Sequence, residues 1–166
     1  DCNRDTAAHD LIPSVSEITE IPGNRDLSDA ERAARIARVH APFHSAIAAL
    51  LDARAAEGLE TAVVSIHSFT PVYKGIARPW PIGILSNIDR RLAEGMLADL
   101  GRQGIEPLGD NEPYAPSDGV YYTLARHGEA RRLPSAMVEI RNDELATASA
   151  ETLWAERLER AMRAAR

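Results

Sequence analysis

Thr61-Ala62-Val63-Val64-Ser65-Ile66 is a short, β-branched apolar run without polar alternation, and His67 follows it directly. Such a run reads as a strand covered on both faces. Two others share its character, Ile82-Gly83-Ile84-Leu85 and Ala136-Met137-Val138-Glu139-Ile140. Helical patterns lie around them. Ser28 and Glu31 have capping-box spacing, and behind them Ile36, Val39, Phe43, Ile47, Leu50 and Leu51 recur at three- and four-residue steps. This predicts a long amphipathic helix ending near Gly58 and bent or restarted at Pro42. Residues 89–100 place Leu92, Met96, Leu97 and Leu100 on one helical face closed by Gly101. Further helices are expected around 119–130 and from about 149 to 165, the last with Leu153, Trp154, Leu158 and Met162 inward. Residues 1–27, with Pro13, Pro22 and Gly23, read as irregular, and Gly109 to Tyr114 as a loop. Helices alternating with buried strands imply an α/β fold, a mixed or mostly parallel sheet with helices on both faces.

The 166 residues are 45% apolar and 27% charged, enough for one domain, 1–166, with its own core. No apolar run approaches a membrane span and no leader pattern opens the chain, so neither a membrane partner nor an export route is expected. One cysteine allows no internal disulfide, which fits a reducing, cytoplasmic setting. The net charge of −6 is spread along the chain and argues against a nucleic-acid partner. Lys74 is the single lysine, in a Pro/Gly-bounded loop, which disfavours Schiff-base chemistry. There is no Gly-rich phosphate loop and no Gly-x-Ser-x-Gly elbow.

Two residues stand out chemically. His67 leaves a strand at its carboxyl end, where open α/β sheets bind ligands, so it reads either as a metal ligand or acid/base group, or as a histidine tied into a loop corner. Glu139 interrupts an apolar strand, where a carboxylate is costly unless paired or used. Alternation puts Met137, Glu139 and Arg141 on one face, so Glu139 is either ion-paired to Arg141 or a general base beside a metal-bound water. His40 and His44 are four apart, a metal-binding spacing, but Pro42 lies between them and no Glu follows His40. They read as surface or packing residues. His127 reads as structural or supporting, and His9 is uninformative.

Several stretches together resemble the N-formylglutamate amidohydrolase family of zinc carboxypeptidase-like hydrolases. They are Asp1-Cys2-Asn3-Arg4, Ser65-Ile66-His67-Ser68-Phe69-Thr70-Pro71-Val72, Gly75-Ile76-Ala77-Arg78-Pro79-Trp80, Gly109-Asp110-Asn111-Glu112-Pro113-Tyr114, and Leu133-Pro134-Ser135 through Glu139-Ile140-Arg141-Asn142-Asp143. The resemblance implies a zinc carboxypeptidase-like core and a Zn2+ cofactor. His67 would be the last of three zinc ligands and Glu139 the carboxylate that activates zinc-bound water. Asn3 and Arg4 would hold a substrate carboxylate, and Arg78 and Asn111 would line the cleft. The implied substrate is a small carboxylated amide, an N-formyl or other N-acyl amino acid. The family's other two ligands have no counterpart from Asp1 onward. The chain is therefore expected to be the C-terminal two-thirds of a domain, or to take the missing part from another chain, or to bind no catalytic zinc. A silent domain serving as a binding module is the competing reading, and a generic α/β protein with a His–Glu–Arg network is a third.

Overall fold

The computed structural model describes residues 1–165. Arg166, which ends the Arg- and Ala-rich tail, lies outside the described residues. The entry segment holds only a small hairpin, β1 (Val15–Ser16) and β2 (Thr19–Glu20), and one 3-10 turn. Ser28 then caps α1 (Asp29–Arg35): its hydroxyl accepts from Glu31 N–H while the Glu31 carboxylate accepts from Ser28 N–H. Residues Ile36–His40 form a π-helical turn that runs into α2 (Ala41–Ala56). The helix thus restarts beside Pro42, as its ring demands.

The sheet is built from β3 (Val63–Phe69), β6 (Ile82–Leu85), β7 (Leu108–Asp110) and β8 (Ser135–Arg141), in the order β3-β8-β6-β7. β3 runs parallel to β8, β8 antiparallel to β6, and β6 parallel to β7, so the sheet is mixed. A second small hairpin, β4 (Val72–Tyr73) and β5 (Ile76–Ala77), follows β3. One sheet face is covered by α3 (Arg91–Arg102) and α5 (Ala148–Ala164), whose Met96, Leu100, Trp154 and Leu158 pack with Ile82, Ile84, Val138 and Ile140. The other face carries α4 (Tyr122–His127), where Tyr121 and Leu124 pack on Leu85 and Met137. Helices therefore flank both faces. No helix among the described residues is long and apolar enough to cross a membrane.

Several expectations change. β3 is not covered on both faces, since Ile66 is 55% exposed, and among the described residues it pairs with β8 alone. The first amphipathic helix is turned from its expected face, with Val39, Phe43 and Leu50 exposed while His40, His44 and Leu51 are buried. The π turn offsets Ile36 from the face that α2 continues, and within α2 Phe43, Ile47 and Leu50 line a groove beside β3. α3 runs through Gly101 and is followed by Gly104 in the left-handed region. α4 is shorter than expected, and Leu153 of α5 is exposed. The stretch read as a loop from Gly109 contains part of β7, too short to show periodicity.

Candidate active site

His67 and Glu139 are register partners on the parallel strands β3 and β8, so both side chains leave the same sheet face, the α4 side. Glu139 faces Gly83 on its other flank. Its carboxyl is 5% exposed, and one oxygen, Oε2, has no hydrogen-bond partner. Burial pushes its pKa up to about 7, with the nearby Arg78 guanidinium pulling the other way. The ion pair to Arg141 is not formed. That guanidinium turns outward at the strand end to Asp143 (2.7 Å), Glu144 (3.2 Å) and the carbonyls of Arg78 and Pro79. His67 is half-buried, and burial lowers its pKa, which keeps the imidazole neutral and its lone pair available at pH 7. Ser65, on the same face, has a buried hydroxyl without a partner.

Arg78 is buried among aromatic rings. Its guanidinium carbon lies 4.5 Å from the Tyr73 ring centroid, 4.8 Å from Tyr114 and 5.7 Å from Phe69, and one nitrogen donates to the Tyr114 hydroxyl (3.0 Å). Tyr114 is carried there by the 111–114 loop, which crosses the sheet over the paired glycines Gly83 and Gly109. A Cβ on either would overlap the Glu112 carbonyl oxygen. Asn111 sits at that crossing in the left-handed region, with its side-chain oxygen accepting from Ser86 N–H (2.9 Å). It shapes the loop and is not among the residues around the Glu139 cavity.

That cavity, about 440 Å³, is lined by Glu139, His67, Tyr73 and Tyr114, by Asn3 and Arg4 with the carboxylates of Asp1 and Asp10, and by the β1–β2 hairpin. The two hairpins meet at its edge, where Glu17 accepts from Lys74 N–H (2.7 Å). Arg4 Nε lies 3.1 Å from Asp10 and 3.7 Å from Asp1, and Arg4 Nη1 donates to Asp118 O (3.3 Å). The Asn3 amide bridges Val120 O and Thr123 N–H, so only part of its donor capacity is free. A larger groove of about 770 Å³ runs between α2 and β3, but its walls are mostly apolar and it lacks Glu139 and both arginines. The chemistry lies in the smaller cavity.

His67, Glu139, Asn3 and Arg4 are thus brought together, Arg78 stands behind the aromatic wall, and Asn111 stands apart. His40, His44 and His127 are buried close to Cys2 and Arg4, which fits the packing alternative for the first two and the structural one for the third; their mutual contact was not read from the sequence. No group of three His, Cys, Asp or Glu able to hold a metal ion exists among the described residues, so this set does not by itself fit a three-ligand catalytic zinc. What it offers is a carboxylate able to exchange a proton near neutrality, a neutral imidazole beside it, and the Arg4 guanidinium at the cavity wall, next to Asp10 and Asp1.

Comparison with known proteins bears on the family and the fold. A family model described as N-formylglutamate amidohydrolase matches residues 1–146. The crystal structure of a gene product from Agrobacterium tumefaciens superposes with a TM-score of 0.95 at 42% identity, covering 99% of this chain and 65% of that one. The crystal structure of N-formylglutamate amidohydrolase from Ralstonia eutropha JMP134 superposes with a TM-score of 0.61 at 23% identity, covering 85% and 56%, a likeness of fold. The chain spans less than two thirds of the length of either. No curated protein gave a significant match.

Proposed function

Because this chain belongs to the N-formylglutamate amidohydrolase family, we propose that it carries the base and the anion-binding wall of an amidohydrolase acting on a small N-acyl amino acid such as N-formylglutamate. The observation that carries this reading is Glu139, a buried carboxyl with an unpartnered oxygen at a cavity, beside a neutral His67. A fold does not bury such a group cheaply, and strained electrostatics of this kind cluster at working sites.

The chemistry follows from the side chains. Ionised Glu139 takes a proton from a water in the cavity, and the water oxygen forms a bond to the acyl carbon. The carbon–nitrogen bond then breaks, and Glu139 hands its proton to the leaving amine, giving formate and the free amino acid. Arg4 holds the substrate carboxylate at the cavity wall, aided by the free donor of Asn3. Holding the amide over Glu139 makes the attack effectively intramolecular. Arg78 adds positive potential behind the reacting centre and favours the anionic form of Glu139. Zinc belongs to the proposal through His67, which would hold it with groups outside the described residues, and no step above is routed through it.

Formate release from N-formylglutamate by the full-length protein tests the reading. Glu139→Gln and His67→Ala, checked for folding by circular dichroism, should each lower kcat/KM by about a hundredfold or more. Zinc content should fall in His67→Ala and persist in Glu139→Gln. Turnover like wild type in either variant removes the role given to that residue. A folded wild type that binds glutamate without turning over the substrate would favour a binding module.

A further inference from the structure

Asn3 and Arg4 lie on a segment with no regular structure, yet its backbone is held at the carbonyls of Cys2 and Arg4, on either side of Asn3. His44 Nε2 stands 2.9 Å from Cys2 O, and His40 Nε2 stands 3.0 Å from Arg4 O. Thr123 Oγ1 adds a second donor to Cys2 O (3.3 Å), and the Asn3 amide is tied to Val120 and Thr123. Behind His44, its Nδ1 lies 2.8 Å from His127 Nε2. The carbonyl of Cys2 can only accept, so His44 carries its proton on Nε2. Its Nδ1 then accepts, and His127 donates from Nε2.

Packing alone does not call for this. His44 is 1% exposed and His127 2%, and a buried imidazole costs free energy that a leucine of similar volume would not. His40 and His44 share the buried side of this helix with Leu51, while Phe43 and Leu50 line the groove beside β3.

We infer that His44, relayed to His127 and assisted by His40, is a positioning residue that fixes the Cys2–Arg4 segment so that the Arg4 guanidinium faces the Glu139 cavity. The inference rests on the role proposed for Arg4 in binding the substrate carboxylate.

The test uses the full-length protein with N-formylglutamate and with an N-formyl amino acid amide that lacks the carboxylate. His44→Leu should raise KM for the carboxylated substrate about tenfold while kcat changes by no more than about twofold. KM for the amide should stay near the wild-type value. His44→Gln, whose Nε2 can still donate to Cys2 O, should restore most of the loss. In an Arg4→Ala background, His44→Leu should add nothing further, because both act through one contact. Amide hydrogen exchange at Cys2–Arg4 gives a readout independent of turnover: protection should fall in His44→Leu and hold in His44→Gln. An equal KM rise on both substrates, an additive effect with Arg4→Ala, or unchanged exchange in a folded His44→Leu would overturn the inference. If His44→Leu does not fold, His40→Leu, which frees Arg4 O alone, is read in the same way. Absence of turnover in wild type would count against the proposed function, while the exchange measurement would still decide whether the clamp exists.

Discussion

Glu139 shows at a single residue how a site is held against the preference of its fold. Its carboxyl is raised from 4.5 to about 7 chiefly by burial, so the folded chain binds a proton that the unfolded chain has already released. The sign follows from linkage. The stability associated with the neutral form is fully present below the unfolded value of 4.5 and is lost as pH rises through about 7. From 4.5 to about 7 that loss is on the order of 3 kcal/mol. Glu139→Gln removes it, so the variant should melt several degrees above wild type at pH 8 and close to it at pH 5, in calorimetric scans at the two pH values. Equal melting temperatures at pH 8 would mean that the anion is better compensated than its unpartnered oxygen indicates. His44 has the opposite sign. Burial, with the nearby charges of His40, Arg126 and His127, lowers its pKa to about 4, so its contribution is present above 6.5 and is lost as pH falls through about 4. The place of Glu139 inside a strand was legible in the sequence because strand alternation is local, whereas His67, read as leaving its strand, lies inside β3, two residues before Phe69. The contacts of His44 were not legible, because its partners at Cys2 and His127 are 42 and 83 residues away.

The elements that position these side chains meet at a crossing with almost no free space. Gly83 on β6 and Gly109 on β7 are register partners, and the Glu112 backbone lies against both. Gly83 also flanks Glu139, so the absence of a side chain there lets the loop reach over the sheet and deliver Tyr114 to Arg78. The obstacle to a Cβ is backbone, which cannot turn aside as a flexible side chain can. Gly83→Ala should therefore cost about 1–3 kcal/mol, measured by denaturant unfolding, and should weaken turnover beyond what the stability loss explains. Unchanged stability would mean that the loop shifts freely. Strands and helices with strong local signals, such as the capped α1, β6 and β8, were readable in advance. Those whose character depends on neighbours were not. A Val/Ile-rich run announces a strand, but the number of strands beside it is a tertiary fact, and among the described residues β3 pairs with β8 alone. The π turn is equally silent, since the apolar steps through Ile36, Val39 and Phe43 continue across it and predict the face that the structure leaves in solvent.

The molecule as a whole divides its labour between the two sheet faces, and β8, like β6, contributes side chains to both. On one face, Ala136, Val138 and Ile140 of β8 pack beneath α3 and α5 in the larger apolar cluster. On the other, Met137 packs with Leu124 of α4, and Glu139 opens to the cavity. α4 also supplies Thr123, whose amide and hydroxyl hold Asn3 and Cys2, and His127, which backs His44. A cavity made on the α3–α5 side is therefore separated from the anion-binding wall by the sheet, whereas one made under α4 loosens the groups that hold that wall. Leu100 and Leu124 are both fully buried. Truncating either to alanine should cost about 2–5 kcal/mol. Leu100→Ala should leave KM for N-formylglutamate within about twofold of wild type when assayed well below its melting temperature, while Leu124→Ala should raise KM several-fold under the same conditions. If the two variants, matched for stability loss, changed KM alike, the sheet would be transmitting strain from face to face, and the division of labour would be wrong.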